Sequence, residues 1–255
     1  TLSARALERR TNQGIALDLK DVPISQSYID AITATPSISV MAKSKWLNAL
    51  HIRGTQSAIS NLTNLPFVAS IDFANHSLNT AANKIGKPTA RKKIKSANHI
   101  ERARANFPYG ASANQIEMLN GQFLHEQDFT GTGKIIAVLD AGYPGVDVAQ
   151  PFQRLRDNGQ ILGGYNFVAR NTNIYTGGTH GTLVLSTMGG YTSNQLVGTA
   201  PDAYYYLFIT EDVGSETPLE ESNWAEAAEM ADSLGADVLT TSLGYFLFDN
   251  PAYSY

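Results

Sequence analysis

Cysteine is absent from the 255 residues, which excludes disulfides, thiolate metal ligands and a cysteine nucleophile within the chain. There is also no run of roughly eighteen or more apolar residues, so no membrane span is predicted. No signal peptide is recognisable, and the chain begins at Thr1 instead of Met, from which we expect an upstream segment to have been removed. The apolar and aromatic contents are ordinary for a globular protein, and the length favours two domains.

Charge is distributed unevenly along the chain. Residues 1–106 contain 15 Lys or Arg and 6 Asp or Glu, whereas residues 107–255 contain 4 Lys or Arg and 17 Asp or Glu. A basic front and an acidic back predict two units that attract each other. The alternative is that the charges are simply solvated surface.

The first unit has the pattern of a small α+β domain. Apolar alternation predicts strands, whereas apolar residues at helical spacing behind a Ser or Thr N-cap predict helices. The predicted order is a strand at 15–19, a helix at 25–33, strands at 38–40 and 46–52, a helix at 55–65 and a strand at 67–73. This is the order of a ferredoxin-like split βαβ fold.

Residues 74–106 have little hydrophobic periodicity and many Lys and Arg residues among Asn, Ala, Ser and Pro. This composition predicts an exposed basic linker that a protease can cut. A nucleic-acid-binding tail is the competing interpretation, but the aromatic residues that stack on bases are nearly missing. We therefore predict no nucleic-acid partner.

The second unit begins near Phe107 and has the pattern of an α/β domain. Nearly continuous apolar runs predict buried parallel strands at 134–139 and 204–209, and a third strand is predicted at 237–241. A helix is predicted at 220–234, with Gly235 as its stop signal. Strands alternating with helices predict a doubly wound, mostly parallel sheet.

Two residues in this unit are candidates for acid–base chemistry. Asp140 follows an apolar strand directly, at the end where parallel sheets carry their sites, although position alone favours a turn-capping role. His180 opens a segment with helix-like spacing, and a lone histidine is more often structural than catalytic. If the fold brings the two together, the carboxylate can fix the imidazole tautomer for general-base catalysis.

The sequence resembles the subtilisin-like serine proteases over about residues 107–255. The resemblance rests on four motifs in the family's order: AVLDAG at 137–142, HGT at 180–182, GTAP at 198–201 and TSLG at 241–244. It implies that Asp140 orients His180, that His180 takes the proton from a serine hydroxyl, and that backbone groups of Ser242, Leu243 and Gly244 bind the substrate. The basic first unit is similar in element order and position to the family's propeptide.

The sequence also departs from the family pattern. Ala141 stands where a Thr or Ser is usual, Leu183 stands where a second His is usual, and an insertion is expected at about 165–179. The Gly-Thr-Ser nucleophile motif and the oxyanion Asn are not among these residues, and neither Ser186 nor Ser242 occupies that motif. We therefore expect the serine on a C-terminal fragment of the same protein, bound to this chain.

These observations together predict a secreted or periplasmic zymogen that hydrolyses protein or peptide substrates. Residues 1–95 would be an inhibitory propeptide bound to the catalytic domain, followed by a basic linker to about residue 106 and by the N-terminal part of the catalytic domain at 107–255. Processing is expected between Thr89 and Tyr109. The chemistry requires no cofactor, whereas Asp147 and Asp202 are candidates for structural calcium.

Two other classes of protein compete with this interpretation. A pseudo-protease or binding module would keep the fold and lack the nucleophile. A metal-dependent hydrolase would use Asp140 and His180 as ligands, but it needs further His or carboxylate ligands at set spacing, and none is present.

Overall fold

A computed structural model describes residues 2–79 and 107–254 of the chain. Most of the predicted basic linker, and the predicted processing region from Thr89 to residue 106, lie outside the described residues.

The first unit contains three helices and one two-stranded sheet within residues 2–79. Its elements are α1 (Ala4–Gln13), α2 (Gln26–Thr33), β1 (Ile38–Ser44), β2 (Ala49–Gly54) and α3 (Gln56–Asn61). β1 and β2 pair antiparallel, with a register shift between Val40 and Ala42. Ile32, Ile38 and Leu62 form the buried centre of a small core between the sheet and the helices.

The α+β character of this unit is confirmed, but only two of its four predicted strands form. The predicted strand at 15–19 is wrong: Leu17 and Leu19 are exposed, and a 3-10 turn covers Leu19–Asp21. The predicted strand at 67–73 is also wrong, because that segment packs Phe67 and Ile71 onto the core without pairing with a described strand. Sequence reasoning also missed α1, which Ser3 caps by accepting a hydrogen bond from the backbone N–H of Ala6.

The second unit is built on four parallel strands. Its elements are α4 (Ala113–Glu117), α5 (Gly121–His125), β3 (Ile135–Asp140), α6 (Gln153–Asp157), β4 (Ile161–Asn166), α7 (His180–Gly189), β5 (Tyr191–Thr192), β6 (Leu196–Val197), β7 (Tyr204–Ile209), α8 (Pro218–Leu234) and β8 (Val238–Thr241). The order in the main sheet is β4-β7-β3-β8, and every pairing is parallel. β5 and β6 form a separate antiparallel pair.

Helices cover both faces of the main sheet. Val138 of β3 packs with Leu185 of α7 on one face, whereas Leu139 packs with Ala227 of α8 on the other. Successive residues of β3 thus serve opposite cores, which is why its sequence is a continuous apolar run. The predicted doubly wound α/β fold is confirmed. None of the helices in the described parts of the chain is long and apolar enough to cross a membrane.

The two units meet along α8. The carboxylate of Glu229 accepts hydrogen bonds from Ser44 Oγ at 2.6 Å and from the backbone N–H groups of Lys45 and Trp46, each at 3.0 Å. Trp46 also packs against the core beneath α8. Because these donors lie at the end of β1 and in the turn that follows it, the hairpin of the first unit is fixed to α8.

Candidate active site

Asp140 is the last residue of β3 and is fully buried. Its Oδ1 atom accepts a hydrogen bond from the backbone N–H of Ala141 at 2.7 Å. Ala141 has no hydroxyl group, so it contacts the carboxylate through its backbone N–H. The strand end therefore holds the carboxylate in one orientation.

His180 is the first residue of α7 and faces that carboxylate. Its Nδ1 atom lies 2.8 Å from Oδ1 and 3.0 Å from Oδ2 of Asp140. Because an ionised carboxylate can only accept hydrogen bonds, Nδ1 carries the proton in the neutral imidazole and Nε2 keeps its lone pair. Half of the His180 side chain is exposed, so the imidazole can exchange a proton with a molecule in the adjoining groove.

The approach of α7 to β3 depends on glycine at Gly181. A β-carbon at this position would lie 2.5 Å from the carbonyl oxygen of Gly142 and 2.9 Å from Cβ of Asp140. The hydroxyl of Thr182, in the first turn of α7, donates to the carbonyl oxygen of Pro144 at 2.9 Å. The HGT motif therefore has three consecutive roles in this structure: His180 faces the carboxylate, Gly181 allows close backbone packing, and Thr182 donates a hydrogen bond to the loop after β3.

The loop before α7 is attached to the end of β3. The backbone N–H of Gly178 donates to the carbonyl of Ala141 at 2.9 Å, and the N–H of Tyr143 donates to the carbonyl of Thr176 at 3.1 Å. Gly142 has φ +148°, and a β-carbon there would be 2.2 Å from the Thr176 oxygen. Glycine is required at this crossing because the two backbones are in contact.

Tyr143 is fully buried beneath the Asp–His pair. Its hydroxyl donates to the carbonyl of Val138 at 2.6 Å and lies 3.2 Å from the carbonyl of Phe208. Burial, followed by the charge of Asp140, raises the pKa of Tyr143 well above its usual value. The residue is thus a neutral hydrogen-bond donor that links β3 to β7.

An open groove adjoins the Asp–His pair. His180, Ala141, Ser242 and Leu243 line it, and Asp140 lies behind His180. Ser242 and Leu243 follow β8 directly. The structure therefore brings four of the five sequence-predicted site residues to one place: Asp140, His180, Ser242 and Leu243. The fifth, Gly244, is exposed and follows Leu243, but it is not one of the described residues that line the groove.

Acidic residues that sequence reasoning did not select line the same groove. They are Glu211, Asp212, Glu216 and Glu220. Glu211 Oε1 accepts hydrogen bonds from Thr210 Oγ1 at 2.9 Å and from the hydroxyl of Tyr245. The available signal was position, because Glu211 and Asp212 follow the carboxyl end of β7, where parallel sheets carry their sites.

The protonation of two of these carboxyls is perturbed. Burial raises the pKa of Glu211. Hydrogen bonds from Tyr245 and Thr210 lower it, but they do not outweigh the effect of burial. Burial raises the pKa of Glu220 to about 7, with smaller contributions from the charges of Glu211 and Glu216. Glu220 still accepts from the backbone N–H groups of Asp212 at 3.1 Å and Thr217 at 3.2 Å, so it joins the β7–α8 loop to the start of α8.

A second depression continues the groove over the end of β4. It shares Ala141 and Glu211 with the first and is also lined by Asn166, Thr176 and Gly177. The last three belong to the segment where the sequence suggested an insertion. This loop therefore forms part of the rim of the cleft.

Asp147 and Asp202 are the two aspartates proposed for calcium. Asp202 Oδ1 lies 2.5 Å from Nη2 of Arg154, in an ion pair. Within residues 2–79 and 107–254 no group of three or more His, Cys, Asp or Glu side chains is arranged to hold a metal ion. Calcium also binds backbone and amide oxygens, so structural calcium stays a prediction.

The fold and the site define a class: an α/β protein with a buried carboxylate and a groove-facing histidine at the carboxyl edge of its sheet. Comparisons with known proteins are more specific. A family model described as the peptidase S8 propeptide domain, Bacteroidota, matches residues 1–94. Together with the subtilisin matches below, it shows that the chain is similar to subtilisin-like proteases, with a propeptide-like domain at residues 1–94.

Two Bacillus subtilisins are similar in sequence to this chain. Subtilisin of Bacillus pumilus is 32% identical over 143 residues, which are 54% of this chain and 46% of the relative. Subtilisin E of Bacillus subtilis (strain 168) is 32% identical over 143 residues, which are 54% of this chain and 33% of that protein. The chain therefore spans between a third and about half of the length of these relatives.

A structure of the MycP3 protease from the type VII (ESX-3) secretion system is also similar to the chain. The match covers 55% of this chain and 38% of that one, with 21% identity and a TM-score of 0.40. At this level the similarity adds nothing to the subtilisin matches.

Proposed function

We propose that the chain carries two members of the catalytic triad of a subtilisin-like serine endopeptidase, Asp140 and His180. The observation that carries this proposal is the 2.8 Å contact between His180 Nδ1 and the fully buried Oδ1 of Asp140, with the imidazole half exposed in a groove. The 32% identity to subtilisins supports the same reaction class.

In the proposed reaction, Nε2 of His180 removes the proton from a serine hydroxyl as the serine oxygen attacks the carbonyl carbon of a peptide bond. The imidazolium that forms is stabilised by Asp140, which stays ionised. His180 then returns the proton to the leaving amine as the carbon–nitrogen bond breaks. In the second half, His180 deprotonates the water that releases the acyl group.

The serine and the oxyanion-binding asparagine are proposed to come from a segment of the same protein outside these 255 residues. The other serines near the site have other contacts or positions. Ser186 Oγ, on the exposed face of α7, donates to the carbonyl of Leu183 at 2.7 Å. Ser242 lies in the wall of the groove. By resemblance to subtilisin-like proteases, its position is one that binds the substrate.

We propose that substrate binds as an added strand beside residues 242–244. In this mode the backbone of Ser242 and Gly244 would supply hydrogen bonds, and the side chain of Leu243 would form part of a specificity pocket. The substrates would be proteins or peptides. The location of Ser242 and Leu243 in the same groove as His180 supports this role.

The first unit is proposed to inhibit the catalytic unit and to assist its folding until the connecting segment is cut. The match to a propeptide domain and the contact between its hairpin and Glu229 support this. Such a zymogen would act after secretion or in the periplasm. Structural calcium stays a prediction without an assigned site, and chelation followed by a thermal-unfolding measurement would test it.

The test compares three forms of the full protein as it is encoded: wild type, His180→Ala and the matched control His76→Ala, which removes an exposed histidine from the first unit. We expect His180→Ala to lose peptidase activity and self-processing by about 10³-fold or more, and His76→Ala to keep both. A fluorophosphonate probe should label a serine outside residues 1–255. Normal turnover by His180→Ala would refute the proposal, and a wild-type protein that neither turns over substrate nor reacts with the probe would indicate a pseudo-protease.

A further inference from the structure

The C-terminal end of α8 has an unfavourable charge distribution by itself. The last turn of α8 has no basic residue, and it contains Asp232. The carbonyl groups at a helix C-terminus carry partial negative charge, so a carboxylate there is destabilising and a cation is stabilising. This end of α8 therefore needs positive charge from another part of the chain.

Helix α1 of the propeptide supplies that charge. Arg9 Nη2 lies 2.5 Å from Oδ1 of Asp232, and Arg10 Nη2 lies 2.6 Å from Oδ2 of the same carboxylate. The three side chains are only 12–19% exposed. Ion pairs shielded from solvent in this way are worth more than exposed pairs, because water and salt screen them less.

The same arginine face also binds carbonyl groups just beyond the end of α8. Arg5 Nε donates to the carbonyl of Gly235 at 3.2 Å, and Arg9 Nη1 donates to the carbonyl of Ala236 at 2.9 Å. The arginines of α1 therefore fix the segment that follows α8 as well as supplying charge at its end.

Arg5 extends this contact to the main sheet. Its Nη2 atom donates to Asp237 Oδ2 at 2.6 Å and to the carbonyl of Gly133 at 3.0 Å. The same Oδ2 atom accepts from the backbone N–H of Ile135 at 2.9 Å. Burial by itself would raise the pKa of Asp237, but the bonds from Ile135 and Arg5 outweigh it and hold the pKa below its usual value.

The shapes of the two surfaces also match. Ala6, on the arginine-bearing face of α1, is fully buried. A β-carbon on Gly235 would lie 2.9 Å from the backbone nitrogen of Ala6, and the N–H of Ser3 donates to the carbonyl of Ser233 at 2.8 Å. Helix α1 thus places a small residue, Ala6, at the contact. Its arginines stand one position before Ala6 and three and four positions after it, and this spacing fits the surface at the end of α8.

We propose that the catalytic unit has a second docking surface for the propeptide, separable from the hairpin contact at Glu229. This α1-docking surface consists of Gly133, Asp232 and residues 235–237, and its occupant is the basic helix α1. Residues 14–25 connect α1 to α2, so α1 can leave its surface while the hairpin stays on Glu229. The proposal rests on the proposed function only in treating residues 1–94 as a propeptide, and it assigns α1 a salt-dependent part in retaining that propeptide.

Because the chain has no cysteine, a single introduced thiol reports directly on α1. In Ala6→Cys the thiol is covered when α1 is docked, whereas in the matched control Ala4→Cys it is exposed in either state. Both are made in full-length His180→Ala protein, which prevents self-processing. We expect Asp232→Lys to accelerate labelling at position 6 by about 10-fold or more, and 1 M salt to accelerate it as well.

Charge specificity is tested by restoration. Arg9→Glu in the Asp232→Lys background should slow labelling at position 6 again, whereas Glu117→Lys, an equal charge change on α4, should leave it unchanged. Labelling that ignores Asp232→Lys and salt would overturn the proposal.

Hydrogen exchange on the protein without introduced cysteine gives a second measurement. Asp232→Lys should remove protection from residues 4–13 and leave it at 38–54. Loss of protection from both regions together would also overturn the proposal, because the two contacts would then be one. The proposed function fails on a different result, turnover by His180→Ala, so the two failures are distinguishable.

Discussion

Gly181 and Asp140 are packed so closely that a β-carbon on the glycine would lie 2.9 Å from Cβ of the aspartate. This contact sets the position of His180, which precedes Gly181 at the start of α7. The distance between His180 and Asp140 thus depends on a residue with no functional group of its own.

We expect Gly181→Ala to move the start of α7 away from β3 and to lengthen the His180–Asp140 contact. A displacement of about 1 Å in a catalytic group costs roughly 10²-fold in rate, so kcat/KM in the complete protein should fall by about that factor. The matched control is Gly214→Ala, where the added carbon would meet only Asp212 Oδ1 at 3.4 Å. Equal activities of the two variants would contradict the positioning role.

Asp140→Asn tests the tautomer argument. An asparagine has nearly the same shape, but its amide can donate to Nδ1 and so favour the imidazole that carries its proton on Nε2. Loss of the correct tautomer costs about 10⁴-fold in kcat in the chymotrypsin-type triad, and we expect a loss of this order. The measurement is burst-phase acylation, with circular dichroism as the check on folding. A loss of less than about 10-fold would show that Asp140 only caps the strand end.

Glu229→Gln should weaken the attachment of the β1–β2 hairpin to α8. The substitution replaces a charged acceptor of three hydrogen bonds by an amide with one acceptor oxygen, which costs about 2–3 kcal/mol. The amides of Lys45 and Trp46, which donate to Glu229, should then exchange roughly 30- to 150-fold faster. Glu221→Gln removes an equal charge from the same helix and serves as the control. Unchanged exchange at both amides would rule out the hairpin contact as an anchor.

The raised pKa of Glu220 predicts a pH dependence of stability. Its carboxyl has a pKa of about 7 in the folded protein, against 4.5 ordinarily, so folding favours the protonated form. The stability from this group is fully present below about pH 4.5 and is lost as the pH rises through 7. We expect the free energy of unfolding to fall less between pH 5 and 8 in Glu220→Gln than in wild type or Glu221→Gln, as measured by urea unfolding. A steeper fall in Glu220→Gln would show that the sign is wrong.

Much of the catalytic unit could be predicted from sequence because its strands are buried on both faces. The predicted strand at 204–209 is β7 without any shift, and the strand predicted at 134–139 is β3 shifted by one residue. Parallel strands of this kind are continuous apolar runs, and their short length and flanking glycines distinguish them from buried helices. Asp140 could be selected because it directly follows such a predicted strand, and His180 because it begins a segment with helix-like spacing.

The propeptide and the acidic lining of the groove were harder to predict, for a physical reason. The contact face of α1 is formed by arginines that pack on carboxylates and carbonyls, so the apolar periodicity that identifies most helices is missing there. Glu216 and Glu220 line the groove through the conformation of the β7–α8 loop, in which the backbone N–H of Asp212 donates to Glu220, and this depends on tertiary structure. The segment 15–19 alternates apolar and polar residues as a strand does, but it pairs with no strand in the described part of the chain.

Helix α8 has separate contacts along its length: Glu220 at the groove, Glu229 at the hairpin and Asp232 at α1. Its inward face is largely alanine, including Ala227, Ala228 and Ala231, which have no alternative rotamers with which to absorb a shift. Under the proposed function, engineers who graft the propeptide of a subtilisin onto the second unit would therefore have to transplant the outward face of α8 with it. A library that diversifies the groove through α8 would, for the same reason, alter how the first unit is held.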